Sequence, residues 1–327
     1  MRKPESLSPT AFMTWEDDKR EFYMKYLSET RPPRIKQTQP MSIGSSFDAH
    51  VKSFLHKEFL GLNDPRFNFE NIFTAQVEEH NRAWARAEGE YAFQCYKISG
   101  ALADLMLDLK SVSGSVKMEF EIRGDVAGVP MLGKPDLFYV TKDMARVSLD
   151  WKVNGYCSKY SISPAPGYIV VRDGWNDRKR SSSHFTMHKD ALLVKHNGVM
   201  VNGALTMEHV DPKWATQLAV YSWIMGEEIG SDFIVAIDQL ACAPRENNRP
   251  AIRVARHRTL ISKSWQLELR DRICRCWEIV NSDWIFRDVE KQQSIEQCFM
   301  LDEVGKSMRK QVAAGSKDEW FLGMSGR

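Results

Sequence analysis

The chain has 327 residues, 43% of them hydrophobic, and a formal net charge of +2. That length suits one to three globular domains, and the near-zero charge gives no overall basic field of the kind that announces a nucleic-acid binder, so any polyanion site has to be local. No apolar run reaches the roughly 20 residues that span a bilayer. The opening "MRKPESLSPTAF" lacks the apolar stretch of a secretory signal, so a cytoplasmic protein with no membrane partner is expected.

The chain begins with a helical pattern. Ser8 stands as N-cap and Pro9 at the first helical position, and apolar residues recur every three or four positions up to Leu27. After a proline-containing loop, "GSSFDAHVKSFLHKEFL" (44–60) reads as a second amphipathic helix. Residues 74–109 continue as helix, broken near Gly100. From 115 the period changes to two: "SVKMEFEIRG" sets Met118, Phe120 and Ile122 on one face of a strand and Lys117, Glu119 and Glu121 on the other. "DLFYV" and "ARVSLDW" follow as strands joined by a short turn.

An irregular stretch to about 210 contains "DALLVKHNGVMVNGA", which has the look of a hairpin. Asp211 and Pro212 then open a helix. "DFIVAIDQLACA" and "AIRVARHRTLI" return to strand, and a long helix starts after Ser262. The order implies a mixed α/β fold, a central sheet flanked by helices. It divides into an N-terminal helical part (1–110), a core (111–300) carrying an insertion at about 153–210, and a tail (301–327).

Two aspartates sit beside the apolar runs of the central strands, Asp136 and Asp150. Adjacent carboxylates repel unless a cation neutralises the pair or one takes a proton, and oxygen donors of this kind suit Mg²⁺ or Mn²⁺. Lys152, two residues after Asp150, points to the same side of its strand. Asp-x-Lys alone is a weak signal, since Asp17–Lys19 and Asp211–Lys213 repeat it at helix ends. His50, between Phe47 and Phe54 at helical spacing, belongs by that spacing to the core face. The cysteines form no CxxC and read as buried thiols.

The set "KPD" (134–136) and "DWK" (150–152) resembles the PD-(D/E)XK nuclease motif, and the surrounding sequence is similar to the RecB-like branch, which includes CRISPR-adaptation nucleases and phage recombination exonucleases. The resemblance covers roughly residues 8–240. It rests on an early-helix histidine (His50), Gly133 with Asp136, Asp150 with Lys152, and Gln217 with Tyr221 on a later helix. It implies a restriction-endonuclease-like αβββαβ core and a Mg²⁺- or Mn²⁺-dependent DNA nuclease, exonucleolytic, that serves recombination, repair or phage DNA metabolism with DNA and a recombination or phage protein as partners.

By that likeness His50, Asp136, Asp150 and the Val153 carbonyl would ligate the metal. Lys152 would orient or activate water, and Gln217 and Tyr221 would line the site. Glu119 or Glu121 could add an acid. The branch's iron–sulfur members carry a first-helix cysteine where Asp18 stands here, and Cys276 and Cys298 lie far apart, so no cluster is expected. Between 172 and 195, six Lys or Arg against three Asp, interleaved with Trp175 and Phe185, suit a single strand of nucleic acid. Arg178, Lys179 and Arg180 are the candidate contacts. An endonuclease or nickase of the same fold, or a non-catalytic DNA- or protein-binding protein, are the alternatives.

Overall fold

In a computed structural model, residues 2–30, 35–112, 116–154, 193–197, 206–242 and 252–282 are described. They fall into two compact units, a smaller one formed by the described residues within 1–4, 14–31 and 275–282 and a larger one formed by those within 5–13 and 32–274. Residues on both sides of position 110 thus belong to the larger unit, which carries the site.

The helices are α1 (Pro9–Asp17), α2 (Lys19–Phe22), α3 (Gln39–Phe54), α4 (Phe69–Gln76), α5 (Arg82–Ile98), α6 (Ala101–Lys110), α7 (Met207–Val210), α8 (Pro212–Ile224) and α9 (Lys263–Asn281). Local chemistry sets their ends. Ser8 Oγ accepts from the Ala11 N–H at 3.1 Å. The single helix expected over 8–27 is instead interrupted at Asp18. Its backbone is extended, and its carboxylate caps a new start by accepting from the N–H groups of Arg20 and Glu21. Gly100, at φ +85°, separates α5 from α6. Asp211 caps α8 through the Lys213 and Trp214 N–H groups. The second helix begins five residues before the expected Gly44, because Thr38 and Pro40 already open it.

The strands are β1 (Lys117–Met118), β2 (Ile122–Val126), β3 (Val129–Gly133), β4 (Leu137–Val140), β5 (Arg146–Asn154), β6 (Leu193–Asn197), β7 (Ile234–Cys242) and β8 (Ile252–Thr259). The continuous strand expected from "SVKMEFEIRG" is broken. Glu119 takes φ +45° and gives its N–H to the Asp136 carbonyl, so β1 and β2 enter different sheets. β2 and β3 form a hairpin whose turn residues Ala127 and Gly128 both have positive φ, the geometry that matches strand twist. The hairpin expected over 190–204 has only its first limb, β6, among the described residues, and β6 pairs with β8 in parallel.

The main sheet runs in the order β1-β4-β5-β7-β8-β6. β1, β4 and β5 are antiparallel, β5 and β7 are parallel, and β7 and β8 are antiparallel. The parallel step follows from the helical crossover α8, which a parallel connection requires. This is a mixed α/β fold with helices against the sheet.

One face of β5 carries Val147, Leu149 and Trp151 into a core shared with Phe47, Val51, Phe93, Tyr96 and Leu105 of α3, α5 and α6. The opposite face of β5 meets α8, which also packs across β2 and β3. There the absence of a side chain at Gly133 is required, because a Cβ would stand 2.8 Å from the Tyr221 ring.

Candidate active site

The β4–β5 hairpin places the two acids. Leu137 pairs with Leu149 in register, and Asp136 and Asp150 are the next residues outward on each strand. The period of two along β5 sends Leu149 and Trp151 into the core and turns Asp150 and Lys152 to the α8 side. Asp136 is fixed from two directions. Its Oδ2 accepts the Trp151 backbone N–H at 3.1 Å, and its Oδ1 accepts from Lys52 Nζ at 3.0 Å. Asp150, only 3% exposed, is ion-paired with Lys152.

Lys152 also donates to Gln217 Oε1 at 2.8 Å, and Gln217 Nε2 donates to the Tyr221 hydroxyl at 2.8 Å. Residues 217 and 221 are one helical turn apart and share a face of α8. Asp136, Asp150, Lys152, Gln217 and Tyr221 therefore form one connected group, and Val153 borders the cleft that Asp136, Asp150, Lys152 and Gln217 line.

His50 does not join them, and this corrects its expected place among the ligands. Its ring stacks on Phe69 and Phe93, with centroids 4.2 and 5.7 Å away, and its buried Nε2 has no hydrogen-bond partner. Burial pushes its pKa down to about 4, so it stays neutral. The residues that α3 does deliver are Asp48 and Lys52, one turn apart. Lys52 Nζ lies 2.7 Å from Asp48, 3.0 Å from Asp136 and 3.5 Å from Glu119, with its side chain 3% exposed.

Glu119 also holds Lys134 at 2.6 Å. Glu121 instead pairs with Arg123 on the surface, so of the two candidate acids only Glu119 enters the cluster. The positive φ at Glu119 makes this possible, because it takes residue 119 out of the strand alternation it would otherwise share with 121.

The electrostatics are uneven. Burial, then the neighbouring Asp136 charge, pushes the Asp150 pKa up to about 7. Burial and Asp136 act likewise on Asp48, also to about 7. Burial opposes ionisation of Asp136 too, yet the Lys52 ammonium, the hydrogen bond from Asp150 and Lys152 hold it below the ordinary range. Burial works against the charge on Lys152, but Asp150 and Asp136 keep its pKa raised, so it is an ammonium donor at neutral pH. Burial pushes the Tyr221 phenol well up, leaving it a neutral hydroxyl.

Asp48, Asp136, Asp150, Lys152 and Gln217 border a cleft of about 300 Å³ that also touches Gly44, Ser45 and Gln76. Among the described residues no group of three or more His, Cys, Asp or Glu is arranged as a ready-made metal cage, because lysines stand between the acids. The donors nevertheless fit a hard divalent ion in kind, being carboxylate and carbonyl oxygens. Asp136 and Asp150 share a hydrogen bond that needs a proton between two carboxylates, which marks a pair short of positive charge.

Sequence reading missed Asp48 and Lys52, because an Asp–Lys pair four apart on a helix ordinarily signals a solvated surface pair. The signal available was their place in "FDAHVKSF", between the core residues Phe47, Val51 and Leu55. Arg178, Lys179 and Arg180 lie outside the described residues.

No family model and no curated protein matches the chain. A solved structure described as the crystal structure of SSO0001 aligns over 74% of this chain and 79% of its own, with 9% identity and a TM-score of 0.23. A superposition that loose carries no argument about fold or function.

Proposed function

We propose that the protein is a Mg²⁺- or Mn²⁺-dependent DNA nuclease, acting from DNA ends. The observation that supports this reading is the convergence of Asp136, Asp150, Lys152 and Gln217 on one cleft, with Tyr221 bonded to Gln217, as the PD-(D/E)XK likeness implies for these residues though not for His50. Asp136, Asp150 and the Val153 carbonyl would hold the divalent ion. When bound, such an ion lowers the pKa of water and offsets charge on the scissile phosphate.

The chain's own groups do the rest. Lys152, fixed by Asp150 and Gln217, presents N–H donors to the phosphate and the attacking water. As a stable ammonium it positions and stabilises charge and does not abstract a proton. Neutral Tyr221 anchors Gln217, which sets the direction of the lysine. The Trp151 N–H fixes the Asp136 carboxylate from behind.

The test is digestion of end-labelled linear DNA and of covalently closed circles by the full chain with Mg²⁺, Mn²⁺ or EDTA. Degradation of linear DNA that EDTA abolishes is expected, with losses of at least about 100-fold in Asp150→Ala and Lys152→Ala. Equal attack on closed circles would select the endonuclease or nickase alternative. Full metal-dependent activity in both variants would overturn the assignment of the site.

A further inference from the structure

We propose that Lys52 is a built-in second cation of the site, so that each chain takes a single divalent ion. This rests on the metal-site reading above and adds its stoichiometry. Lys52 rises from α3 into three carboxylates from separate parts of the chain: Asp48 of α3 at 2.7 Å, Asp136 at the entry to β4 at 3.0 Å, and Glu119 between β1 and β2 at 3.5 Å. An ammonium has three N–H donors and no acceptor. Two of the acids, Asp48 and Asp136, accept hydrogen bonds from it, and Glu119 adds a third negative charge beside it, much as oxygen ligands surround a metal ion.

The ammonium is also locked in. Its side chain is 3% exposed, and its stem leaves α3 between Val51 and Leu55, both fully buried. A divalent ion arriving among Asp48, Glu119 and Asp136 would have to expel a buried charge that has nowhere to go.

The remaining vacancies lie toward Asp150. Asp136 Oδ1 accepts from Lys52 and Oδ2 from the Trp151 N–H, and the carboxylate's remaining lone-pair capacity faces Asp150. Charge gives the same answer. With all four ionised, as a metal-bound site would hold them, the carboxylates of Asp48, Glu119, Asp136 and Asp150 face the three ammonium groups of Lys52, Lys134 and Lys152, a formal balance of −1. One divalent ion leaves the site singly positive, matched to one phosphodiester. A second would leave a large excess in a poorly screened pocket. Without the Lys52 charge, the acids of α3 and of the β1–β2 link become free for a second ion.

The experiment is Mn²⁺ binding to the full chain, followed by calorimetry and by the EPR signal of free Mn²⁺. One ion per chain is expected for the wild type and for Lys52→Arg, and two for Lys52→Met and Lys52→Gln. Asp150→Asn is expected to lose the first ion, which places it in this cleft. Two ions in the wild type would overturn the inference and leave the metal-site reading intact. One ion in the neutral Lys52 variants would do the same. No Mn²⁺ bound by the wild type would overturn both. The wild-type and Lys52→Arg counts decide against the inference on their own if the neutral variants fail to fold.

Discussion

Two buried ionic clusters occupy opposite faces of the same sheet. On the α8 face lie Asp136, Asp150 and Lys152, which Lys52, with Asp48 beside it, reaches from α3. On the α5 face lies Asp238 of β7, opposite Trp151 in register and fully buried. Asp238 accepts from the Tyr96 hydroxyl at 2.5 Å, from Arg258 at 2.7 Å and from Arg256 at 3.4 Å, and Arg256 continues to Asp108 and Asp104. Burial opposes the Asp238 charge, but the two arginines hold its pKa below the ordinary range.

The first cluster is built from lysines, contains two carboxyls raised to about 7 and opens to a cleft. The second is built from arginines, which do not deprotonate and bind in planar forks. Buried charge alone therefore does not mark a functional site, and the proposal for the first cluster rests on its raised carboxyls beside an open cleft.

The largest effect expected from this contrast is on the closed cluster. Asp238→Ala leaves two buried guanidinium groups without their common partner, and a loss of about 3–5 kcal/mol in denaturant unfolding is expected. Tyr96→Phe removes one hydrogen bond to a buried carboxylate and is expected to cost about 1.5–3 kcal/mol. Neither change alters charge in the cleft, so Mn²⁺ affinity of the folded protein is expected to hold. A large loss of Mn²⁺ affinity in folded Tyr96→Phe would join the two clusters into one device.

The open cluster is expected to respond with the opposite sign. An acid raised in the folded state binds its proton more tightly there than in the unfolded chain. Its contribution is then full below the unfolded value near 4 and lost as pH rises through about 7. His50, depressed to about 4, works the other way, since its neutral folded form gains stability as pH rises toward 6.5. The informative quantity is thus the difference between wild type and Asp150→Asn. In EDTA, Asp150→Asn is expected to gain on the wild type between pH 5 and 8, by about 1 kcal/mol or more. Addition of Mn²⁺ is expected to reverse the order at pH 8, because only the wild type retains the ligand. Parallel stability curves in EDTA would show that Asp150 is not strained by its neighbours.

Much of this contrast was open to sequence reading on one side only. The β4–β5 hairpin was legible from two apolar runs about a short turn, and with it the meeting of Asp136 and Asp150, because antiparallel register fixes which residues face each other. Gln217 and Tyr221 came from the family resemblance alone, and helical spacing behind the Asp211 cap added only that they share a face. His50 failed for a physical reason. Residues 48 and 50 stand about 200° apart around α3, so only one of them can face β5. The aromatic residues Phe69 and Phe93 that take up His50 come from other helices.

Lys52 and Asp48 were hidden by resemblance to an ordinary surface pair, and only contacts with distant Glu119 and Asp136 give them their role. Asp238, Arg256 and Arg258 lay inside apolar strand runs, and nothing local in those runs names their partners.

The most direct measurement is the anomalous scattering of Mn²⁺ in crystals of the full chain grown with the ion near neutral pH. A peak within coordination distance of the Asp136 and Asp150 carboxylates, with Lys52 still seated between Asp48 and Glu119, is the expected result. Crystals that bind Mn²⁺ only elsewhere, or leave the Asp136–Asp150 cleft without a peak at saturating concentration, would contradict a metal-dependent role for this site.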